Sequence, residues 1–419
     1  MKRLIAFALI IAGVGVMFLK DYKKDNNIPI SNNLTQEEKE ATEKLENQEN
    51  QENQEKQKLY CVWLTYSEIG SLVKGKSENE YRENVETVLS NLKENKINTV
   101  FYQCRAFCDS FYASEIFPAS KYISTESNSP TYDPFAIFSD MAKKYEIGVH
   151  CWVNPYRISY DKELQSLPAG SPAKKLYKDN KSALIICEKG IFLNPAHPES
   201  RGLVLDGIRE ILRKYDVDGI HFDDYFYPEA EKIKDEKLYK EYKNQGGKLS
   251  VASWRRENVN ALISSVYSLV KSENGNIIFS VSPSADIEKC KNVFYADVEK
   301  WCSEEGFVDF IIPQIYYGFE NDEMPFVDVL REWESVASGS EAKLICGLAT
   351  YKCGRVDEFA GKGKNEWSEN VNILSRQYEQ MQKNPVWQGF SLFSYSYCFG
   401  ENVSQISKKE IKKLLYMVE

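Results

Sequence analysis

The sequence predicts a (β/α)8 barrel, a closed cylinder of eight parallel strands with a helix after each strand. Short runs rich in β-branched and aromatic residues alternate with longer amphipathic stretches through residues 59–419 of the 419-residue chain. Pro134, Pro198 and Pro325 stand where the first turn of a helix tolerates proline. A doubly wound open sheet is the alternative, but no glycine-rich phosphate loop follows the first strand. The barrel is therefore the predicted fold.

The predicted elements follow one another in regular order. Strands are expected at 60–65, 98–104, 147–154, 217–223, 276–282, 308–316, 343–349 and 388–394. Helices are expected at 80–95, 134–145, 198–215, 251–272, 293–304, 325–337, 368–383 and 404–417. Each strand alternates its side chains between an inner and an outer face, and each helix covers the outer face with an apolar stripe. The loops after the strands form one mouth, where barrels of this kind keep their chemistry.

The fourth strand ends in the most informative segment, Val217-Asp-Gly-Ile-His-Phe-Asp-Asp-Tyr-Phe-Tyr-Pro228. With a period of two, Phe222 points toward an outer helix, whereas His221 and Asp223 point toward the barrel axis. Asp223 then lies at the carboxyl end of the strand, beside Asp224 and three aromatic residues. Aromatic rings pack on the C–H faces of sugars, and carboxyl groups hydrolyse glycosidic bonds. The segment indicates a glycosidase site, and a capped strand end is the plainer interpretation.

Hydrolysis of a glycoside usually needs two carboxyl groups, one a protonated acid and the other an anion. Because neighbours on a strand diverge, one of Asp223 and Asp224 is expected to be catalytic while the other holds an arginine or a loop. The inward face favours Asp223, and a bulge would favour Asp224. For the second catalytic carboxyl the first choices are Glu320 and Asp286, which follow the sixth and fifth strands. Two further options are Glu68 and Asp109.

Polar and aromatic residues near the strand ends are expected to bind the substrate. They are Arg105, Trp152, Asn154, Tyr156, Arg157, His221, Tyr225, Gln314, Tyr316, Tyr351 and Tyr395. His221 is expected to support Asp223 or a substrate hydroxyl rather than to relay protons. Arg105 and Arg157 would suit an anionic sugar group such as a lactyl carboxylate, or an ion pair with the aspartates. A single aromatic residue at a strand end more often packs against the protein core than binds a ligand. Aromatic residues at so many strand ends favour a sugar-binding cleft.

The N-terminal part of the chain differs in composition from the rest. Lys2 and Arg3 precede an uninterrupted apolar or small run at 4–19, which is typical of an export signal. A helix over this run spans only ~24 Å, short of the ~30 Å hydrocarbon core of a bilayer. No A-x-A-like cleavage site follows, so residues 1–20 are expected to be an uncleaved membrane anchor or a signal peptide. Residues 21–58 are polar and repetitive, which predicts a disordered linker.

These features place the predicted catalytic domain, 59–419, outside the cytoplasm in the cell envelope, either membrane-anchored or secreted. The net charge of −9, without a basic stripe, argues against nucleic acid as a partner.

Ten cysteines would suggest disulfides in an exported protein, and disulfides between Cys104 and Cys108 and between Cys346 and Cys353 are possible. Several cysteines, however, fall inside predicted strands, where cysteine acts as a small hydrophobic residue. These are Cys61, Cys104, Cys151 and Cys346.

In their order along the chain, the motifs resemble those of the glycosyl hydrolase-like 10 family. The matching segments include Val62-Trp-Leu-Thr65, Asn98-Thr-Val-Phe-Tyr-Gln-Cys-Arg105, His150-Cys-Trp-Val-Asn-Pro-Tyr-Arg157 and Pro313-Gln-Ile-Tyr316. The resemblance covers nearly all of 59–400 and implies an exported bacterial barrel that acts on cell-wall glycans. A more distant similarity relates Asp218-Gly-Ile and Asp223 to the fourth-strand signature of chitinase-type barrels. That signature continues to a glutamate acid where this chain has Tyr225, so substrate-assisted chemistry does not simply carry over.

The sequence thus predicts a cofactor-free glycoside hydrolase of peptidoglycan or a related amino-sugar glycan. A non-catalytic glycan-binding protein with the same aromatic cleft is one alternative. A metal-dependent hydrolase built on His150, His221 and the two aspartates is another. The chain has only three histidines and no H-x-H or H-E-x-x-H pair, which argues against the metal enzyme.

Overall fold

The computed structural model describes residues 58–125, 129–230, 232–340, 342–401 and 403–418. The expected anchor at 1–20 and all but the last residue of the expected linker at 21–58 lie outside these residues. Strands lie at Leu59–Leu64 (β1), Thr99–Arg105 (β2), Gly148–Val153 (β3), Arg157–Ser159 (β4), Leu184–Cys187 (β5), Gly190–Leu193 (β6), Gly219–Phe222 (β7), Ile278–Val281 (β8), Phe310–Ile311 (β9), Lys343–Leu348 (β10) and Trp387–Leu392 (β11).

Eight of these strands close a barrel in the order β1-β2-β3-β7-β8-β9-β10-β11, and every neighbouring pair is parallel. The predicted (β/α)8 barrel is confirmed. Helices lie at Tyr66–Val73, Glu78–Glu94, Pro134–Lys144, Pro172–Asp179, Pro198–Lys214, Glu236–Asn244, Val251–Glu273, Ile287–Lys289, Val298–Ser303, Phe326–Val336, Glu366–Glu369, Ile373–Met381, Tyr395–Phe399 and Gln405–Tyr416. Within the described ranges, no helix combines the length and apolarity needed to cross a bilayer.

Local sequence signals account for several helix boundaries. Thr65 and Glu68 form a capping box at the start of Tyr66–Val73, which satisfies backbone N–H groups that the first turn leaves unpaired. Pro134 and Pro198 occupy the first turn of their helices, as the sequence predicts. Pro325 instead immediately precedes Phe326–Val336 as its N-cap residue.

Two predicted elements are too long. The regular part of the sixth strand, predicted at 308–316, is reduced to β9, because Pro313 has no N–H to donate; beyond it, pairing with both neighbouring strands continues only as isolated bridges at Gln314. The helix predicted at 293–304 begins only at Val298, since Tyr295 adopts the left-handed conformation with φ 55°. Both corrections lie close to the barrel mouth, where regular structure gives way to loops.

A small antiparallel sheet, in the order β4-β6-β5, lies between β3 and β7 in the chain and was not predicted. It forms because β5 and β6 are short apolar runs joined by a tight hairpin in which Cys187 pairs with Gly190. β4 adds to its edge directly after β3, with Arg157 opposite Phe192. The sheet therefore fixes Arg157 at the barrel mouth.

The inside of the barrel is filled by alternate residues of the strands. Trp63, Phe101, Trp152, Ile312 and Ile345 belong to an apolar cluster that occupies this space. Above it, inward residues become polar toward the carboxyl ends of the strands. The candidate site therefore lies at the carboxyl ends of the strands, where the inward-facing side chains are polar.

Candidate active site

A cleft of about 240 Å³ opens at the carboxyl ends of the barrel strands. Its lining residues are Trp63, Thr65, Tyr66, Gln103, Trp152, Arg157, Tyr160, Asp223, Asp224, Tyr225, Ser282, Gln314, Tyr316 and Phe393. Most are aromatic or can form hydrogen bonds, and they lie on the barrel strands or in the loops that follow them. Asp223 and Asp224 are the only carboxylic acids among these described lining residues.

Both aspartates face the cleft because β7 ends before them. Regular strand geometry stops at Phe222, and the chain then turns, with the Phe226 N–H donating to the Asp224 carbonyl at 3.0 Å. The alternation of inner and outer faces therefore does not extend to Asp224. Both residues therefore line the cleft, and Asp224 does not lie on the opposite face of a strand. Asp223 is 3% exposed, and Asp224 is partly buried.

The environment raises the pKa of both carboxyls. For Asp223, burial raises the pKa first and the neighbouring Asp224 raises it further, while the Arg157 guanidinium and the Tyr225 backbone N–H oppose the rise. For Asp224, burial also raises the pKa, against the effects of Arg157 and the Gln314 amide. Two interacting carboxyls with raised pKa values hold a shared proton at a higher pH than isolated aspartates do.

A chain of amides, here termed the amide relay, holds Asp223. The Tyr66 backbone N–H donates to Gln103 Oε1 at 2.7 Å, and Gln103 Nε2 donates to Asn154 Oδ1 at 2.7 Å. Asn154 Nδ2 in turn donates to Asp223 Oδ2. Because a backbone N–H can only donate, it sets the orientation of both side-chain amides. Oδ2 of Asp223 thus accepts from the Asn154 amide, and Oδ1 accepts only a longer hydrogen bond, at 3.4 Å, from the Tyr225 N–H.

Arg157 lies in an aromatic cage beside the aspartates. Its guanidinium carbon is 4.2 Å from the ring centroid of Tyr225, 4.9 Å from that of Phe107 and 5.0 Å from that of Tyr160. Its Nη1 donates to the Tyr160 hydroxyl at 2.8 Å, and its Nε donates to the Ala106 carbonyl at 3.2 Å. These contacts hold a positive charge at the cleft wall in a fixed position.

Comparison with known families shows where the chain belongs. The family model described as glycosyl hydrolase-like 10 matches residues 58–368, which include every strand of the barrel except β11. The chain belongs to this family. It is 30% identical over 334 residues to glycosyl hydrolase DigH of Escherichia coli strain K12, covering 74% of each chain. It is 29% identical over 327 residues to glycosyl hydrolase YngK of Bacillus subtilis, covering 73% of this chain and 62% of that protein.

Solved structures show the same fold at low identity. The glycoside hydrolase domain of PgaB (BpsB) from Bordetella bronchiseptica aligns with a TM-score of 0.52 at 12% identity, over 80% of this chain and 93% of that one. The catalytic domain of β-amylase from Paenibacillus polymyxa aligns with a TM-score of 0.52 at 8% identity, over 86% and 98%. Glycosyl hydrolase-like 10 thus shares its barrel with glycoside hydrolases.

Seven residues that the sequence proposes for the site line the cleft of this glycosyl hydrolase-like 10 chain. They are Trp152, Arg157, Asp223, Asp224, Tyr225, Gln314 and Tyr316. Asn154, proposed for substrate binding, lies behind Asp223 and acts on it directly. His221 lies beneath the cleft, fully buried, where Nε2 accepts from the Trp63 indole at 3.1 Å and Nδ1 contacts Ser280 Oγ at 2.8 Å. Its two nitrogens are therefore engaged by the barrel interior rather than by Asp223.

Four proposed substrate-binding residues lie elsewhere. The Arg105 guanidinium packs over the Phe117 ring at 3.9 Å and against Gly207 of an outer helix. Tyr156 is fully buried beside the inserted sheet, where its carbonyl accepts from the Leu193 N–H. The Tyr395 hydroxyl accepts from Asn91 Nδ2 at 2.9 Å, away from the cleft lining. Tyr351 contacts the cleft wall from its outer side, with its ring centroid 5.9 Å from that of Tyr316.

The structure places the proposed partner carboxyls outside the cleft as well. Asp286 Oδ1 accepts from the Lys289 N–H at 2.8 Å and caps the helix Ile287–Lys289. Glu320 is exposed on a loop whose backbone N–H groups bind Glu366. Glu68 caps its helix and also accepts from Ser394 and Ser396, and the buried Asp109 accepts from the Phe107 N–H. Opposing carboxyls from distant loops are therefore absent from the cleft lining in the described chain.

Half of the cleft lining is not among the residues that the sequence proposes for the site. Tyr66 follows a predicted strand and Ser282 ends one, on the face of the barrel where the site was expected, and the others are Trp63, Thr65, Gln103, Tyr160 and Phe393. Trp63 and Gln103 could have been found, because each lies on the inner face of its strand, two residues after an inward apolar residue. Tyr160 could not, since it depends on the inserted sheet.

Among the described residues, no cluster of three or more His, Cys, Asp or Glu side chains is placed to hold a metal ion.

All ten cysteines are buried free thiols, and the Cys104 and Cys151 sulfurs lie 2.9 Å apart on neighbouring strands. The suggested pairs Cys104–Cys108 and Cys346–Cys353 are not formed.

Proposed function

We propose that the protein is a glycoside hydrolase of the bacterial cell envelope that acts on peptidoglycan or a related amino-sugar glycan. The observation that carries this proposal is the pair Asp223 and Asp224, two carboxyls with raised pKa values in an aromatic cleft at a barrel mouth. The names of the relatives DigH and YngK support a glycosyl hydrolase. The proposed export signal supports an envelope location.

In the proposed reaction, Asp223 is the general acid. Oδ2 accepts from the amide relay, whereas Oδ1 accepts only a 3.4 Å hydrogen bond from the Tyr225 N–H, so Oδ1 carries the proton. It delivers this proton to the glycosidic oxygen as the C–O bond breaks. Asp224 is ionised, stabilises the positive charge that develops on the sugar ring, and takes a proton from the attacking water. The pair therefore gives one proton and receives one, and transfer of the received proton from Asp224 to Asp223 restores the acid and the anion for the next cycle.

The walls of the cleft suit an amino-sugar chain. Trp152, Tyr225 and Tyr316 provide ring faces on which sugar C–H groups can pack. Gln314 and Ser282 provide hydrogen-bonding groups at the same mouth. Arg157, held in its aromatic cage, provides a cation for an acidic substituent such as a lactyl carboxylate. A neutral, purely apolar ligand would leave these groups unpaired.

The decisive experiment measures the release of reducing ends from purified peptidoglycan by the wild type and by Asp223→Asn. We expect the substitution to lower the rate by about 10²- to 10⁴-fold, because the general acid is lost while shape is kept. Asp286→Asn is the matched control, since it makes the same change at an aspartate that caps a helix outside the cleft. The proposal fails if Asp223→Asn retains wild-type activity. A wild type that binds peptidoglycan without releasing reducing ends would instead identify a glycan-binding protein.

A further inference from the structure

The cleft is too small to hold more than a fragment of a polysaccharide. Its volume of about 240 Å³ is below the ~300–1,000 Å³ usual for ligand pockets. Cleavage within a chain requires sugar rings on both sides of the broken bond. At least one ring of the substrate must therefore rest on a surface next to the cleft.

Such a surface lies on the outer side of Tyr351. A groove of about 370 Å³ is lined by Tyr351, Gly354, Arg355, Tyr397, Glu401 and Ser404, among other residues. The Tyr351 ring centroid lies 5.9 Å from Tyr316 and 6.2 Å from Phe393, which both line the cleft, and 6.1 Å from Tyr397. A continuous row of aromatic rings thus leads from the cleft into the groove.

The groove offers the groups that recognise a sugar ring. The Arg355 guanidinium lies 5.3 Å from the Tyr397 ring centroid and is exposed. Glu401 is also exposed and lines the groove. An arginine has only donors and a carboxylate only acceptors, whereas sugar hydroxyls are both, so each side chain can bind neighbouring hydroxyls. An aromatic face beside such a pair suits a polar ring with an apolar C–H face.

Buried polar contacts fix the groove relative to the cleft. Lys352 Nζ donates to the Tyr316 carbonyl at 2.7 Å and forms an ion pair with Asp357 at 2.6 Å. The Gly354 N–H donates to the Trp367 carbonyl at 2.8 Å. The loop that carries Arg355 is therefore tied to a cleft wall, which reduces the ordering needed when a ligand binds.

We propose that this groove is a second sugar-binding subsite, which holds the next rings of an amino-sugar chain whose reacting ring occupies the cleft. Tyr397 stacks on one ring, and Arg355 binds its hydroxyls. The inference rests on the proposed function for its choice of ligand. Its consequence is that the protein prefers long chains to short ones.

The experiment titrates N-acetylglucosamine oligomers, from the dimer to the hexamer, into the full-length chain by isothermal calorimetry. We expect the wild-type affinity to rise with chain length. In Tyr397→Ala the affinity for the hexamer should fall by about 3- to 10-fold, as expected for the loss of one aromatic contact, and the gain with length should shrink. Tyr416→Ala is the control, because it removes a tyrosine that is 88% exposed on the C-terminal helix.

The outcomes separate this proposal from the proposed hydrolase function. If the wild type binds long oligomers more tightly but releases no reducing ends from peptidoglycan, the hydrolase proposal fails and the subsite stands. If Tyr397→Ala and Tyr416→Ala show the same dependence on chain length, the subsite is wrong whether or not the cleft hydrolyses glycans. A wild-type affinity independent of chain length would also overturn the subsite.

Discussion

Replacing Gln103 with glutamate tests whether the amide relay controls the proton on Asp223. In the wild type, Gln103 accepts from the Tyr66 N–H and donates to Asn154, so Asn154 must donate to Asp223. A glutamate at this position has only acceptors when it is ionised. Asn154 would then turn its NH2 group toward the new carboxylate and present its oxygen to Asp223. Asp223 could keep this contact only by carrying its proton on Oδ2.

The size of the effect follows from the contact that is lost. A hydrogen bond to a charged group contributes about 1.5–3 kcal/mol, and each pKa unit corresponds to about 1.4 kcal/mol. Losing the Asn154 donor should therefore raise the pKa of Asp223 by about 1–2 units. The negative charge that Gln103→Glu introduces acts in the same direction. The proton, however, would sit on the oxygen that faces Asn154 instead of the substrate, so the maximal rate should fall.

The assay is the pH dependence of kcat/KM on a soluble oligosaccharide released from peptidoglycan. Because the acid must be protonated, activity is lost on the alkaline side as the pH rises through the pKa of Asp223. We expect this limb to move upward in Gln103→Glu and to move less in Gln103→Leu, which removes the relay without forcing Asn154 to turn. Thermal unfolding of both variants checks that the barrel remains folded. An alkaline limb that coincides with the wild type, or moves to lower pH, would refute the role of the relay.

Two further predictions concern stability. The pKa of Asp223 is higher in the folded protein than in the unfolded chain. Between about pH 4, the pKa in the unfolded chain, and the higher pKa in the folded protein, the folded protein therefore binds more protons. Ionisation of Asp223 consequently destabilises the fold as the pH rises through this range. Asp223→Asn should therefore melt at a higher temperature than the wild type at about pH 8, and a difference that persists unchanged at about pH 4 would contradict this origin. Gly207→Ala should lower the free energy of unfolding in urea by about 1–3 kcal/mol, because its Cβ would lie 2.1 Å from Arg105 Nη1 and 2.7 Å from the Phe117 ring. Gly202→Ala in the same helix, which meets no atom within 4 Å, is the control.

The barrel could be predicted because its signals are local. The run at 217–222 alternates inner and outer residues over one strand, and the prolines at 134 and 198 mark helix starts within one turn. The inserted sheet was missed since β5 and β6 are short, and strands of this length resemble any buried apolar run. The sixth strand was predicted too long because the pattern continued through Pro313, whose missing N–H interrupts the ladder and leaves only isolated bridges at Gln314.

The candidate site was only partly predictable, because a strand pattern says nothing about where the strand ends. The alternation of strand faces directed Asp223 toward the barrel mouth and Asp224 away from it, whereas β7 ends at Phe222 and both residues line the cleft. The roles of Asn154 and Gln103 depend on contacts between strands that are far apart in sequence. Asn154 and Asp223 are separated by 69 positions, so no local pattern relates them.

The same limit explains why the carboxyls predicted as partners of Asp223 do not line the cleft. Glu320 was a reasonable choice by its position after a strand, but Glu366, 46 residues later, binds the Phe319 and Glu320 N–H groups and holds that loop with Glu320 facing solvent. With Asp286 committed to a helix cap, the cleft lining has no carboxyl from another loop among the described residues. In the proposed reaction, the anion that assists Asp223 therefore comes from the same turn. Adjacent carboxyls in one buried turn do not both ionise freely, and in that reaction the coupling supplies a protonated acid and a neighbouring anion together.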